Sequence, residues 1–165
     1  MWIIDDFLPP SLHEDLRTLV MGNQIDWTYV LDYEDKQDDF YFIHNVIRDG
    51  FAAPIFSDIK PILYFIDDKL GFVIENLLRI NCKLTTNHGK LSRETMHMDF
   101  PIPHYTGIYY INSCNGPTVI EDTEVESVAN RFLLFDGSKM HCGTTPDDCH
   151  ARFNIVFNMQ GHFRK

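Results

Sequence analysis

The run Arg152-Phe153-Asn154-Ile155-Val156-Phe157 alternates in polarity. A strand sends successive side chains to opposite faces, so Arg152 and Asn154 share one side while Phe153, Ile155 and Phe157 share the other. Such a run sets a polar pocket against an apolar core across one sheet. Thr106-Gly107-Ile108-Tyr109-Tyr110-Ile111-Asn112 divides in the same way, with Thr106, Ile108 and Tyr110 opposed to Tyr109 and Ile111. Working outward, short alternating segments predict eight strands, near 76–86, 95–100, 104–112, 117–121, 124–128, 130–136, 139–144 and 150–160. Turn signals separate several of them: Asn87-His88-Gly89, Asn115-Gly116-Pro117 and Asp136-Gly137. This spacing predicts a mainly β, α+β fold built as a closed or double-sheet barrel.

The N-terminal half reads differently. Trp2 to Leu8 suggests a short opening strand, stopped by Pro9-Pro10. Ser11 and Glu14 have the spacing of a capping box, followed by the apolar stripe Leu12, Leu16, Leu19 and Val20 and a stop at Gly22-Asn23. Trp27 to Asp32 reads as an edge strand, and the acidic run Asp32 to Asp39 as a solvated loop or, alternatively, a substrate-facing lid. Ser57 to Leu70 predicts a second helix, with Ile59, Ile62, Leu63, Ile66 and Leu70 on one face and Gly71 at its end. The expected organisation is one domain over 1–165, with helical and mixed support in 1–74 and the β core in 75–162.

A chain of 165 residues, 44% hydrophobic and 13% aromatic, has the composition of a soluble globular domain with a substantial core. Its net charge of −10 repels polyanions, and no Lys/Arg cluster offers a compensating groove, which argues against nucleic acid as a partner. Cys82, Cys114, Cys142 and Cys149 form no CxxC pair and read as reduced, mostly buried thiols. The N-terminus lacks a basic segment followed by a long apolar one, and no stretch reaches the length of a membrane span. A cytoplasmic protein is the expectation.

The chemistry concentrates in His97-Met98-Asp99 and His141. On a strand, residues two apart share a face, so His97 and Asp99 can reach one ion together. Two neutral imidazoles and one carboxylate suit a divalent iron that keeps octahedral positions open for oxygen chemistry. His88 and His104 flank the pair and compete as ligands or substrate contacts, whereas Cys142 should face away from the side that His141 presents. Arg152, eleven residues beyond His141, could clamp a carboxylate bidentately, with the Tyr110 hydroxyl beside it. The same three ligands would also suit a zinc hydrolase, but that reading leaves Arg152 and Tyr110 without a role.

His97-x-Asp99, His141 and Arg152, in this order, resemble the 2-oxoglutarate- and Fe(II)-dependent dioxygenases, in particular the prolyl-4-hydroxylase-like branch. Ile108-Tyr109-Tyr110-Ile111-Asn112 is similar to the strand that follows the HxD motif there, and Arg131-Phe132-Leu133-Leu134-Phe135-Asp136 to the strand leading to the distal histidine. The likeness covers residues 76–160. It implies a double-stranded β-helix, a cupin-like jelly roll. It implies Fe(II) held by His97, Asp99 and His141, and 2-oxoglutarate held through its distal carboxylate by Arg152 and Tyr110. A further contact would come from the strand before the motif, where Asn81, Lys83 and Thr85 share the corresponding face. The implied reaction consumes O2 and 2-oxoglutarate, with ascorbate as a candidate rescue reductant, and hydroxylates an unactivated C–H bond. The first expectation for the substrate is peptidyl proline or another protein side chain; a small metabolite or free amino acid is the alternative. A non-catalytic cupin-type binding barrel is the alternative from another class.

Overall fold

The computed structural model describes residues 1–31 and 40–164. In chain order the elements are β1 (Trp2–Ile4), α1 (Pro10–Met21), β2 (Thr28–Leu31), β3 (Phe40–Arg48), β4 (Phe51–Ala52), α2 (Phe56–Ile59) and α3 (Pro61–Leu70). There follow β5 (Phe72–Thr86), β6 (Ser92–Arg93), β7 (Tyr105–Tyr110), β8 (Cys114–Ile120), β9 (Thr123–Ser127), β10 (Phe132–Asp136), β11 (His141–Cys142), β12 (Thr144–Thr145) and β13 (Ala151–Phe163).

The large antiparallel sheet runs β1-β10-β7-β13-β5-β3-β2, with β4 added beside β3. A second sheet runs β11-β8-β9, and β12 pairs with β6. The long strand β13 lies between β5 and β7, so its polar face is walled by both neighbours. This is the double-stranded β-helix architecture expected from the alternating C-terminal half.

Strand parity sorts the apolar side chains into two cores. Ile155, Phe157, Tyr109, Ile111, Phe132 and Leu134 face the helices and pack with Leu16, Val20, Ile62 and Ile66. Ile108, Tyr110, Leu133 and Phe135 face the second sheet and meet Ile120 and Val125. A fully buried side chain such as Phe157 contributes roughly 1.5–3 kcal/mol of hydrophobic stabilisation. Asn130, at φ 61°, ties the N-terminal segment to this scaffold. Its Nδ2 donates to the Leu8 carbonyl at 2.8 Å, and its Oδ1 accepts from Leu8 N–H and from the Tyr109 hydroxyl, both at 2.9 Å.

Several local expectations need correction. Residues 95–100 do not form a strand; only His97 pairs there, in an isolated bridge to His141. Pro101 and Pro103 follow at once and cannot donate to a ladder. The capping box is not made: α1 begins at Pro10, Ser11 lies inside it, and Glu14 instead binds Arg17 at 2.7 Å. The second helix is two helices, because Pro61 lacks the N–H that a continuous helix would use and restarts the chain as α3. Gly71 does end it, in the left-handed conformation at φ 62°. The stretch 139–144 divides at Gly143 into β11 and β12, which join different sheets. The nine-residue β3 was not anticipated; Phe40-Tyr41-Phe42-Ile43 is apolar on both faces and shows no alternation. The first 74 residues therefore supply strands of the large sheet as well as helices. The acidic run 32–39 lies outside the described residues.

Candidate metal centre

His97 sits in a loop, Asp99 two residues on, and His141 opens β11. The two histidines are joined through their backbones: His97 N–H donates to the His141 carbonyl and His141 N–H to the His97 carbonyl, each at 2.9 Å. The proximity of His97 and Asp99 thus comes from this bridge and the loop path rather than from strand parity. One ligand atom from each of His97, Asp99 and His141 lies within 4.8 Å of the others. His141 Nε2 is 3.3 Å from Asp99 Oδ2, and His97 Nε2 is 4.0 Å from Oδ1.

The donor set fits a divalent metal. His97 Nδ1 lies 2.9 Å from the Thr95 carbonyl and His141 Nδ1 2.9 Å from the Lys139 carbonyl. A carbonyl only accepts, so each Nδ1 carries the proton and each Nε2 lone pair is turned toward Asp99. The Phe135 ring, edge-on at 5.0 Å, holds the His141 imidazole. The His141 and Asp99 side chains are only 6% and 8% exposed, whereas the His97 side chain is 46% exposed and opens the centre to solvent.

Asp99 is heavily bonded. Asn158 Nδ2 donates to its Oδ2 at 2.8 Å, the Thr106 hydroxyl at 3.3 Å, and Arg79 forms a close ion pair with Oδ1. Burial pushes the Asp99 carboxyl upward, but the surrounding His141 ring, Arg79 guanidinium and Asn158 amide outweigh it and hold the group far below the usual carboxylate range. Asp99 is accordingly an anion, as a metal ligand must be.

Arg152 is 2% exposed on the inward face of β13. Its Nε donates to the Ser127 hydroxyl at 2.8 Å and its Nη2 to the Thr118 hydroxyl at 2.7 Å. The Tyr110 hydroxyl is 2.6 Å from the same Thr118 oxygen, and the Tyr110 ring lies 5.6 Å from the guanidinium. Tyr110 and Arg152 therefore meet through Thr118. Nη1 has no hydrogen-bond acceptor among the described residues. It lies 3.0 Å from the point that a Cβ on Gly143 would occupy, so the absent side chain leaves a cradle at the unused edge of the guanidinium. Lys83 and Thr85 reach the same pocket because they oppose Asn154 and Arg152 in the β5–β13 register. Asn81 is on this face too, and the Oδ1 atoms of Asn81 and Asn154 are buried without a protein partner.

His88 and His104 do not join the cluster. His88 Nε2 is 2.9 Å from the Thr86 hydroxyl and its ring lies against Phe40. His104 is buried against Gly137, whose missing Cβ would sit 2.2 Å from Nε2. Cys142 is a buried free thiol, pushed upward by burial and by Glu94. The residues that sequence reasoning missed are Arg79, Asn158, Thr118, Ser127 and Glu94. Parity could have found the first two, since Arg79 continues the row Asn81, Lys83, Thr85, and Asn158 the row Arg152, Asn154. Glu94 carries no such signal.

No family model matches the sequence, and no curated protein matches it either. Solved structures do. A 2OG-Fe(II) oxygenase family oxidoreductase from Burkholderia pseudomallei matches with a TM-score of 0.72 at 9% identity, over 98% of this chain and 85% of that one. A prolyl hydroxylase from Trichoplax adhaerens, solved with a hypoxia inducible factor oxygen degradation domain peptide, matches with 0.63 at 16% identity, over 96% and 82%. HygX from Streptomyces hygroscopicus, solved with nickel, 2-oxoglutarate and hygromycin B, matches with 0.60 at 12% identity, over 98% and 83%. The chain has the fold of the 2-oxoglutarate/Fe(II) oxygenases, and it carries a His-Asp-His cluster.

Proposed function

We propose that this protein is an Fe(II)- and 2-oxoglutarate-dependent oxygenase that hydroxylates an unactivated C–H bond. The observation that carries this reading is the convergence of His97 Nε2, the Asp99 carboxylate and His141 Nε2, with both Nδ1 atoms committed to carbonyls. A 2-His-1-carboxylate face leaves coordination positions open. When bound, the metal and the keto acid supply the oxidising chemistry that couples 2-oxoglutarate decarboxylation to oxygen insertion into the substrate.

The remaining roles belong to the chain. His97, Asp99 and His141 hold the metal, and Asn158 and Thr106 fix the Asp99 carboxylate. Arg152 presents Nη1 to the distal carboxylate of 2-oxoglutarate. Ser127 and Thr118 lock the guanidinium in place, and Tyr110 buttresses Thr118. A preset anchor aligns the keto acid and converts a random encounter into an oriented one. The unpartnered amide oxygens of Asn81 and Asn154 line the same face and offer acceptors to the bound cosubstrate or substrate. The barrel wall shields the Arg152 end of the pocket, where the guanidinium is 2% exposed, from water.

For the substrate we favour peptidyl proline or another protein side chain over a small metabolite. Met98 and Met140, each adjacent in sequence to a ligand, are 49% and 41% exposed and suit an apolar side chain at the mouth. The Trichoplax neighbour, solved with a peptide, supports this reading, and HygX, solved with hygromycin B, keeps small molecules as the alternative. No described helix is long and apolar enough to cross a membrane. Four free thiols, of which Cys82, Cys114 and Cys142 are buried, fit the reducing cytoplasm. The net charge of −10 argues against nucleic acid.

The test is oxygen uptake together with succinate formation by the full chain, with and without ascorbate. Both should require Fe(II) and 2-oxoglutarate together. A chain that binds both and consumes no oxygen with any peptide or metabolite, even in slow uncoupled turnover, is a binding barrel and not this enzyme.

A further inference from the structure

The anchor pocket already contains a carboxylate of the protein. Glu94, 9% exposed, follows β6 and enters between β5 and Gly143. Its backbone N–H donates to the Gly143 carbonyl at 3.0 Å, and Gly143 N–H returns a hydrogen bond to Oε2 at 3.2 Å. Lys83 Nζ donates to Oε2 at 2.6 Å and the Thr85 hydroxyl to Oε1 at 3.4 Å. The point that a Gly143 Cβ would fill lies 2.9 Å from Glu94 Oε2 and 3.0 Å from Arg152 Nη1. The unused edge of the arginine therefore faces an internal anion across a gap about one methyl group wide. Lys83, which shares the inward face with Arg152, spends its charge on that anion.

We propose that Glu94 is a built-in competitor for the distal carboxylate of the keto acid, and so the residue that sets how much 2-oxoglutarate this chain requires. The inference rests on the reading that 2-oxoglutarate binds at Arg152. Like charges in a poorly screened space repel strongly. A dicarboxylate that docks on Nη1 places its far carboxylate against the Glu94 oxygen and must push that side chain aside or tolerate it. A keto acid without a distal carboxylate meets no such opposition. Glu94 therefore narrows the preference for 2-oxoglutarate over a monocarboxylate that Arg152 alone would create.

The experiment measures binding of 2-oxoglutarate and of 2-oxobutyrate by calorimetry to the full chain loaded with Mn(II). It compares the native protein, Glu94→Gln, Glu94→Ala and Arg152→Ala; two Glu94 variants guard against a folding failure in one. Removing the carboxylate should tighten 2-oxoglutarate by about tenfold or more while moving 2-oxobutyrate by less than about threefold, a clear widening of their affinity ratio. Unchanged or weaker 2-oxoglutarate binding in the Glu94 variants, with Arg152→Ala still weakening it, overturns the competitor and leaves the anchor standing; Glu94 would then serve to position Lys83. If Arg152→Ala binds like the native protein, or if no form binds 2-oxoglutarate, the anchor fails and the competitor falls with it.

Discussion

His97 and His141 exchange both of their backbone hydrogen bonds, although no ladder continues on either side of the pair. Two residues joined in this way hold their Cα atoms about 5.5 Å apart. The spacing of the two imidazoles is thus imposed by the main chain, and their tautomers by the Thr95 and Lys139 carbonyls. The centre is organised before any ion arrives, which lowers the ordering cost of binding one.

Asn158→Ala should weaken metal binding by about 10–100-fold, the usual effect of losing a hydrogen bond to a ligating carboxylate. Asn158 donates to Asp99 Oδ2 and accepts from Arg79 Nε, so its loss loosens the ligand and its cation together. Asp99→Ala should go further and abolish both measurable Fe(II) affinity and turnover. Calorimetric titration with Mn(II) or Fe(II) reads the first, and 2-oxoglutarate decarboxylation the second. Native-like activity in Asp99→Ala would remove Asp99 from the ligand set.

Gly143→Ala places a methyl group 3.0 Å from Arg152 Nη1, in the space assigned to the keto acid. Its KM for 2-oxoglutarate should rise by about tenfold or more while metal affinity stays within about twofold, because a charged hydrogen bond is worth about 1.5–3 kcal/mol. Arg152→Ala should show the same split. An unaltered 2-oxoglutarate dependence in both variants would move the cosubstrate elsewhere.

Glu94 gives a signed pH dependence. Burial raises its carboxyl, but Lys83 and, less strongly, Arg152 outweigh burial and hold it below the ordinary glutamate value of 4.5. A depressed folded-state pKa contributes stability that is present above the ordinary value and lost as pH falls through the folded one. The difference in Tm between the native protein and Glu94→Gln should therefore be constant near neutrality and shrink as the pH drops below 4.5. A difference that grows on acidification would contradict the ion pair.

Asn130→Ala should cost about 4–5 kcal/mol by urea unfolding. It deletes three hydrogen bonds worth about 1 kcal/mol each and leaves alanine in the left-handed conformation at φ 61°. A loss below about 1 kcal/mol would show that the β1–β10 ladder and the apolar contacts hold the N-terminal segment without these three bonds.

The C-terminal half was legible because its strands alternate. Arg152, Asn154, Tyr110 and Thr106 point inward, and Ile155, Phe157, Tyr109 and Ile111 toward the helices, as parity requires. That His97, Asp99 and His141 belong together could be read from residue type and order, yet their geometry could not. His97 and Asp99 converge through a loop and a lone bridge, where strand periodicity says nothing. The long strand β3 escaped because a run that is apolar on both faces has no period to detect. Glu94 escaped for a different reason. A single charged residue in the sequence looks solvated, and only the tertiary approach of Lys83, Thr85 and Gly143 buries it.

Under the proposed function, one ferrous ion at His97, Asp99 and His141 shares its coordination sphere with a keto acid anchored at Arg152. Anaerobic addition of 2-oxoglutarate to the Fe(II)-loaded chain, followed by visible absorption, tests it most directly. A metal-to-ligand charge-transfer band should appear with the keto acid, saturate at one equivalent of iron, and be missing from Asp99→Ala. A chain that binds Fe(II) and 2-oxoglutarate together and shows no such band would contradict it.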